Sequence, residues 1–317
     1  MDNRYQIGII GTGRIANRFF DESKYVDDAE VIGTYNPHHS STEVFAKNHG
    51  IKAFESLEQM LEEVDIVYVA SPHATHVEYA RQAIEAKKHV LCEKPMSFVK
   101  EEAFFLYKLA EEKGVVLAEA VKTAFCPGFK KVLEVVDSGI IGEVKYVDGA
   151  FTKLMDDSSR EMSDPKVGGS FLELGTYGTL PVLKLLGTNF DEVRFDSILN
   201  SKGIDRFTRA ILINGNGIGN VVSGLGVKSD GTLTIAGTAG YILVKAPWWL
   251  TKEFEVHFED PNKVISYCED FEGGGLRYEL KELIDVIEGK TEGLSFSAEE
   301  SIALAGIMEQ FLEDRGN

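Results

Sequence analysis

Residues 5–120 alternate short, continuous apolar runs with amphipathic segments that have apolar residues at helical spacing. The apolar runs predict strands at residues 5–10, 29–35, 65–70, 88–92 and 115–120. Because these runs are continuous rather than alternating, both faces of the strands should be covered. Strand–helix alternation of this kind predicts an α/β fold with a doubly wound parallel sheet.

Two of the intervening segments begin with the spacing of a capping box. Ser40 stands three residues before Glu43, and Ser56 stands three residues before Gln59. A hydroxyl followed at this distance by an acid or amide satisfies free N–H groups at a helix start. We therefore expect helices to begin at Ser40 and at Ser56.

The pattern changes after about residue 125. A helix is predicted over 128–138, ending at Gly139, and a second over 168–187. Runs with period-two alternation, such as "RFTRAILI" and "EFEVHF", predict an open, mainly antiparallel sheet around the second helix. Two amphipathic helices, near 276–289 and 298–314, end the sequence.

A chain of 317 residues is longer than one hydrophobic core usually serves. With the change of pattern, this length predicts two domains. We expect a dinucleotide-binding domain over 1–122 and an α+β domain over 123–317. The last helices of the second domain could pack back toward the first.

Composition excludes several classes of partner. Lys and Arg number 33 against 51 Asp and Glu, a formal net charge of −18, and a surface this negative repels nucleic acid. We expect neither a membrane helix nor a signal peptide, because no apolar run is long enough and no basic segment precedes one. Cys92, Cys126 and Cys268 lie far apart, which argues against disulfides and a zinc site and favours a cytoplasmic location.

A glycine motif follows the first predicted strand and opens the next helix. Gly11, Gly13 and Ala16 form the pattern G-x-G-x-x-A in "GTGRIA". Gly11 permits a tight turn, Gly13 lets a pyrophosphate approach the helix N-terminus, and Ala16 permits close helix–strand packing. The motif predicts dinucleotide binding, with Thr12, Arg14 and Ile15 in the same turn.

The second predicted strand ends at Asn36, where an acid that binds the NAD ribose is expected. An amide does not repel a 2′-phosphate, and Arg14, His38 or His39 could reach one. These residues favour NADP, with NAD left open. In the alternative, Asn36 only starts the Asn-Pro turn and serves either cofactor.

Four segments together resemble the Gfo/Idh/MocA oxidoreductase family over nearly the whole chain. They are "GTGRIA", "SPHATHVEYARQAIEAKKHVLCEKP", "EAVKTAFCPGFKKVLEVVDSGIIGEVKYV" and "GGSFLELGTYGTLPVLKLLG". The chain looks most similar to the branch of dihydrodiol dehydrogenase and glucose–fructose oxidoreductase. The resemblance implies an N-terminal Rossmann domain and a C-terminal domain whose open sheet often forms a homodimer.

The resemblance also implies roles for residues at the predicted cofactor cleft. Lys94 of the EKP motif would lie beside the nicotinamide ribose and the reacting carbonyl or hydroxyl, with Glu93 near the same ribose. Pro95 is expected to follow a cis peptide bond. The residues that would line the cleft after the preceding strand are Ser71, Pro72 and His73, with His76 at the next helix start.

Glu173 and Tyr177 stand four residues apart and share one face of a predicted helix. The resemblance implies that Tyr177 donates and accepts the proton, and that Glu173 stands where the family commonly has Asp. A free tyrosine titrates near pH 10, and a neighbouring ammonium lowers that pKa. Lys94 and Tyr177 therefore make chemical sense as a catalytic pair.

The chain departs from the related branch where substrate would bind. Lys122 replaces a tryptophan and Ala124 replaces an arginine, which argues against an aromatic diol as substrate. Lys122 and Phe125 are candidate substrate-binding residues, although Lys122 could instead contact only the protein's own acids. Trp248 and Trp249 could line the sugar side of the pocket or belong to a core or interface.

These observations predict an NAD(P)-dependent oxidoreductase acting on a carbinol or carbonyl of a small sugar or polyol, without a metal. An alternative from another class is a non-catalytic nucleotide-binding regulator with the same fold. A third alternative is an enzyme whose tightly held cofactor cycles internally between its two redox states. A homodimer through the C-terminal sheet is also expected.

Overall fold

A computed structural model of the protein describes residues 4–156, 158–164 and 167–316. Within these ranges the chain forms two compact units. The first unit runs to Phe125 and includes Glu272–Ala305, and the second comprises Cys126–Phe271 and the residues from Gly306 on.

The strands and helices are numbered in chain order. The strands are β1 (Tyr5–Ile10), β2 (Ala29–Tyr35), β3 (Lys52–Ala53), β4 (Ile66–Val69), β5 (His89–Glu93), β6 (Leu117–Ala120), β7 (Val144–Thr152), β8 (Glu192–Leu199), β9 (Asp205–Asn214), β10 (Gly217–Gly224), β11 (Leu233–Gly237), β12 (Tyr241–Val244), β13 (Glu253–His257) and β14 (Val264–Cys268). The helices are α1 (Arg14–Ser23), α2 (His39–His49), α3 (Leu57–Glu63), α4 (His76–Glu85), α5 (Lys100–Lys113), α6 (Lys122–Phe125), α7 (Pro127–Asp137), α8 (Arg160–Ser163), α9 (Ser170–Leu186), α10 (Leu276–Ile287) and α11 (Ala298–Gly316).

The first unit is built on a parallel sheet in the order β3-β2-β1-β4-β5-β6. Helices cover both faces, as the continuous apolar runs predicted. On one face Phe19 of α1 and Leu280 of α10 pack in a core with Tyr68 of β4, and on the other Met60 of α3 and Leu106 of α5 pack in a second core. The strand order reverses between β1 and β4, which is where ligands bind in folds of this class.

The second unit is built on a sheet in the order β14-β13-β12-β11-β7-β10-β9-β8, antiparallel except for the β7–β10 pair. Helix α9 packs on one face of this sheet. A Cβ added at Gly178 would lie 2.6 Å from Val221 and 3.0 Å from the carbonyl oxygen of Gly149. Glycine at position 178 therefore lets the helix approach the strands closely. The predicted fold class is confirmed in both units.

Helix starts and the least regular strands differ from the sequence-based expectations. Ser56 caps α3 as expected, since its hydroxyl accepts a hydrogen bond from the backbone N–H of Gln59 at 3.3 Å. The expected start at Ser40 is wrong, because α2 already begins at His39 after the Asn-Pro turn, and His39 contacts Glu43 at 3.5 Å.

The prediction also lacked β3, β8, β10 and β14. Strand β10, "GIGNVVSG", contains three glycines and reads locally as a turn.

No helix among the described residues combines the length and the apolar character needed to cross a membrane.

Candidate active site

The glycine turn lies between β1 and α1 in the first unit. Gly11 has a φ of 111°, and a Cβ at this position would lie 2.5 Å from the carbonyl oxygen of Ala70. Gly13 precedes the first residue of α1, and a Cβ there would meet no atom within 4 Å. The space in front of the helix N-terminus is therefore open and suits a pyrophosphate. In the same turn, Thr12 and Ile15 are half-buried and Arg14 is exposed.

A cleft of about 480 Å³ lies beside the glycine turn, between α1 and α2. Asn17 on its wall donates a hydrogen bond to the carbonyl oxygen of Gly13 at 2.8 Å, and its Oδ1 lies 2.8 Å from Nε2 of His49. Sequence reasoning missed Asn17, although its position one helical turn after Gly13 was a signal for it. The residues that line the cleft are Thr12, Asn17, Ser40, Ser41, Val44, Phe45 and Asn48.

Asn36 directly follows β2 and takes part in the turn before α2. Its side-chain amide donates to the carbonyl oxygen of His38 at 3.4 Å, and its own carbonyl oxygen accepts from the hydroxyl of Thr42 at 3.2 Å. His38 is exposed. Asn36 thus has the turn role of the alternative interpretation, and it also leaves this strand end without a carboxylate.

The loop after β4 contains Ser71, Pro72 and His73. The hydroxyl of Thr75 donates to Oγ of Ser71 at 2.8 Å and to the carbonyl oxygen of Pro72 at 2.7 Å. The ring of His73 lies 5.8 Å from that of Phe98. These contacts hold the loop at the carboxyl end of β4, next to the strand that bears the glycine turn.

His76 begins α4, as expected, and is completely buried. Its Nδ1 lies 2.9 Å from the carbonyl oxygen of Pro95, and its Nε2 lies 2.8 Å from the carbonyl oxygen of Ser71. Burial, helped by Lys94, lowers the pKa of His76, so the neutral ring donates to only one of these oxygens at a time. His76 therefore links the loop after β4 to the turn after β5 through these two contacts.

The turn after β5 carries Glu93, Lys94 and Pro95, and the peptide bond between Lys94 and Pro95 is cis, as expected. The hydroxyl of Tyr68 donates to the Glu93 carboxylate. Burial raises the pKa of Glu93, while the Tyr68 hydrogen bond and the charge of Lys94 lower it. The ring of Tyr68 stacks on that of Phe19 at 3.7 Å, and this stacking fixes the position of the donor hydroxyl.

Glu119 of β6 holds the backbone that follows this turn, and sequence reasoning missed it. Its Oε1 accepts from the backbone N–H of Met96 at 2.9 Å, and its Oε2 accepts from the hydroxyl of Ser301 on α11. The side chain is 2% exposed, and burial raises the pKa of Glu119 to about 7. Glu119 is the single acid of an apolar strand, so no sequence motif around it indicates its partners.

Lys122 begins α6 and points toward the protein's own groups. Its Nζ donates to the carbonyl oxygen of Gly274 at 3.1 Å, just before α10. Burial raises the pKa values of Glu93 and Glu279, and the charge of Lys122 opposes that rise. These contacts favour the alternative in which Lys122 contacts the protein's own acids. Phe125, the other candidate from this segment, is 2% exposed and packs in the interior.

Glu279 lies in the first turn of α10 and is 1% exposed. Among the described residues, neither of its carboxylate oxygens has a hydrogen-bond partner. Burial, together with the charge of Glu93, raises the pKa of Glu279 well above its ordinary value. A helix N-terminus stabilises an anion by about 0.3–1 kcal/mol, whereas burying an unpaired ion costs several kcal/mol. The neutral acid is therefore favoured.

In the second unit, Glu173 and Tyr177 lie one turn apart on α9 and are both half-buried. The ring of Phe151 meets that of Tyr177 edge-on at 4.9 Å and stacks on that of Trp249 at 3.6 Å. Trp248 is fully buried, and its indole N–H donates to the carbonyl oxygen of Ala150 at 2.9 Å. Of the two tryptophans, Trp248 thus belongs to the core.

The start of α9 is held by Asp205, another residue that sequence reasoning missed. Its Oδ2 accepts from the hydroxyl of Ser170 at 2.6 Å and from the backbone N–H of Phe171 at 2.9 Å. An acid in this position stabilises a helix N-terminus. Among the described residues, no group of three or more His, Cys, Asp or Glu side chains could hold a metal ion.

Comparison with known proteins adds to this geometry. Residues 5–121 match the GFO_IDH_MocA family, described as an oxidoreductase family with an NAD-binding Rossmann fold. The chain is 27% identical to trans-1,2-dihydrobenzene-1,2-diol dehydrogenase of Danio rerio, over 96% of this chain and 94% of that protein. It is also 27% identical to scyllo-inositol 2-dehydrogenase (NADP(+)) of Bacillus subtilis, over 98% and 97%.

Among solved structures, the fold is similar to that of a 3-ketoreductase from Actinomadura kijaniata in complex with NADP and TDP-benzene. The TM-score is 0.80 at 21% identity, over 97% of this chain and 96% of that one.

Proposed function

Because the chain belongs to the Gfo/Idh/MocA family of oxidoreductases, we propose that it transfers a hydride between a nicotinamide cofactor and a carbinol or carbonyl of a small sugar or polyol. One observation carries this proposal. The open glycine turn after β1 and the Glu93–Lys94 turn after β5 lie at the same carboxyl edge of one parallel sheet. A dinucleotide bound at that edge has its pyrophosphate at α1. The regulator alternative has no support from the relatives, which are named dehydrogenases.

The protein's own residues would divide the work as follows. The nicotinamide, when bound, supplies or accepts the hydride. Lys94 orients the oxygen of the reacting group and stabilises negative charge on it, and Tyr177 donates or accepts that oxygen's proton. Glu173, one turn before Tyr177, would lie on the same face of α9 as this catalytic group.

We propose NADP rather than NAD as the preferred cofactor. Asn36 leaves the end of β2 without a carboxylate that would repel a 2′-phosphate. The cleft beside the glycine turn offers the hydroxyls of Ser40 and Ser41 near the N-terminus of α2, and the exposed Arg14 supplies positive charge.

Substitution of Lys94 and Tyr177 tests the proposal. We expect Lys94→Ala and Tyr177→Phe each to lower kcat at least ~10²-fold while leaving cofactor affinity nearly unchanged, since the pyrophosphate site lies elsewhere on the cofactor. The measurement is steady-state turnover of sugars and polyols with NADP+ or NADPH, beside a fluorescence titration of the cofactor.

Matched controls are Lys100→Ala and Tyr241→Phe, which change an exposed lysine and an exposed tyrosine. If Lys94 and Tyr177 act as one unit, the double variant should be little worse than the worse single variant. Near-full activity of Tyr177→Phe would show that another residue carries the proton.

We further propose that the protein works in the cytoplasm, which its three well-separated cysteines support. We also propose a homodimer through the face of the second sheet that lies opposite α9. The register of β9 and β10 supports this, because Ile218 and Ile213 lie on that face.

A further inference from the structure

A buried carboxyl group lies next to the Glu93–Lys94 turn, on a helix that the sequence-based site did not include. Glu279 of α10 is 1% exposed, and its oxygens have no hydrogen-bond partner among the described residues. The charged groups that act on it are Glu93, Glu22 and Lys122. Burial and the neighbouring charges therefore decide whether Glu279 is ionised.

Arg277, in the first turn of α10, is already paired with another acid. Arg277 donates from Nε and from one terminal nitrogen to the two carboxylate oxygens of Glu22, each at 3.0 Å. Lys122, in α6, is then the cation that acts on both Glu93 and Glu279. The short helix α6 packs against α10, and the Lys122 hydrogen bond to Gly274 fixes the ammonium there.

The charges of this buried group do not balance if every member is ionised. Glu93, Glu279 and the neighbouring Glu119 of β6 would together carry three negative charges against the two positive charges of Lys94 and Lys122. Glu93 has further stabilisation from the Tyr68 hydroxyl and from Lys94, whereas Glu279 has neither. The proton therefore resides on Glu279, which is buried and has no hydrogen-bond partner among the described residues, and Lys122 adds to the effect of Lys94 on Glu93.

We propose that Lys122 and Glu279 are positioning residues for the turn that carries Lys94: Glu279 stays protonated, and the Lys122 ammonium acts together with Lys94 to favour the ionised form of the Glu93 carboxylate. This inference rests on the proposed function of the turn. Lys122 then acts on the pH range of the reaction rather than on the choice of substrate, because its ammonium already contacts the protein's own groups.

The pH profile of kcat tests the role of Lys122. Removing the ammonium in Lys122→Met takes away a charge that favours ionised Glu93, so the acidic limb should move upward by about one pH unit. We expect roughly tenfold lower kcat near the acidic limb, kcat within about twofold of wild type at alkaline pH, and little change in KM.

Two further variants show whether the effect comes from the positive charge of Lys122. Lys122→Arg keeps the charge and should keep the acidic limb in place. The control Lys281→Met removes a half-buried lysine of α10 that pairs with Asp285, and it should leave the profile unchanged. An unshifted acidic limb in Lys122→Met overturns the role of Lys122.

A double-mutant cycle on unfolding distinguishes a neutral Glu279 from an ion pair with Lys122. If Glu279 is neutral, Glu279→Gln should change stability little, and the double variant should match Lys122→Met. If the two residues form a buried ion pair, each single variant leaves one charge unpaired and the double variant recovers stability. Recovery of that kind overturns the proposal.

Infrared spectroscopy of the unliganded protein tests the proton directly, without any turnover. At neutral pH the difference between the spectra of wild type and Glu279→Gln should contain a protonated carboxyl band, because the contribution of Glu119 is common to both proteins and cancels. Identical spectra overturn the proposal. If wild type turns over no sugar or polyol, the proposed function fails. The infrared band and the unfolding cycle then still decide the protonation of Glu279.

Discussion

At the scale of single residues, the end of β2 has the clearest consequence for the cofactor. Asn36 binds the turn before α2 through its amide and its carbonyl oxygen. An aspartate of nearly the same size keeps the backbone contact with Thr42 but loses the long hydrogen bond to His38, because a carboxylate does not donate. Asn36→Asp therefore changes this turn contact as well as the charge presented to an adenosine ribose.

We expect wild-type protein to bind NADPH more tightly than NADH, and Asn36→Asp to shift this preference toward NADH by about tenfold. A carboxylate repels a 2′-phosphate but accepts hydrogen bonds from a free ribose. Fluorescence titration with both cofactors measures the preference. Asn262→Asp, in an exposed turn before β14, is the control. Tighter binding of NADH by wild type would contradict the proposed preference.

At the scale of elements, Glu119 ties strand β6 to helix α11 and to the backbone after the Lys94 turn. One carboxyl group accepts hydrogen bonds from Met96 and Ser301, which lie far from it in sequence. Burial raises the pKa of Glu119 from an ordinary 4.5 to about 7. The native protein therefore holds this proton more tightly than the unfolded chain does.

The free energy of unfolding should consequently fall as pH rises from about 4.5 to about 7, and the loss should be complete above that range. A shift of this size corresponds to about 3 kcal/mol. Glu119→Gln is neutral at every pH, so wild type should lose stability relative to this variant across the same range. Urea unfolding at several pH values measures the difference. Glu101→Gln, at an exposed site on α5, is the control, and parallel curves for wild type and Glu119→Gln would exclude the effect.

At the scale of the whole molecule, the two units use their sheets differently. The parallel sheet of the first unit has helices on both faces. In the second unit α9 packs against Gly149 and Val221, so alternate residues of the same strands point away from it. On that side Ile198 is 57% exposed and Ile218 is 43% exposed, so large apolar side chains lie on the open face of the sheet.

We expect the protein to be a homodimer at micromolar concentration, as measured by light scattering after size-exclusion chromatography. Ile218→Asp should yield monomers, because it places a charge among apolar side chains of the proposed interface. Phe104→Asp, at a 52% exposed site on α5, should leave the dimer intact. Monomeric wild-type protein would refute the proposed interface.

The sequence by itself determined the features that depend on neighbouring residues. The strand limits of β1 and β2, the glycine turn, the Ser56 cap and the helix around Tyr177 follow from local period, small residues and capping chemistry. The site at the carboxyl edge of the first sheet followed as well, because strand–helix alternation dictates where strand ends meet.

Only the tertiary structure decided which charges meet in the interior. Glu119 contacts Ser301, Lys122 contacts Gly274, and the charge of Glu93 acts on Glu279, each across a large sequence separation. Strand β10 was also recognised only from its pairing with neighbouring strands. Its glycines predict a turn locally, but in the structure they let α9 pack closely on the sheet. Burial and pairing depend on how distant segments pack, and no local pattern in the chain encodes the resulting electrostatic surroundings of a single acid.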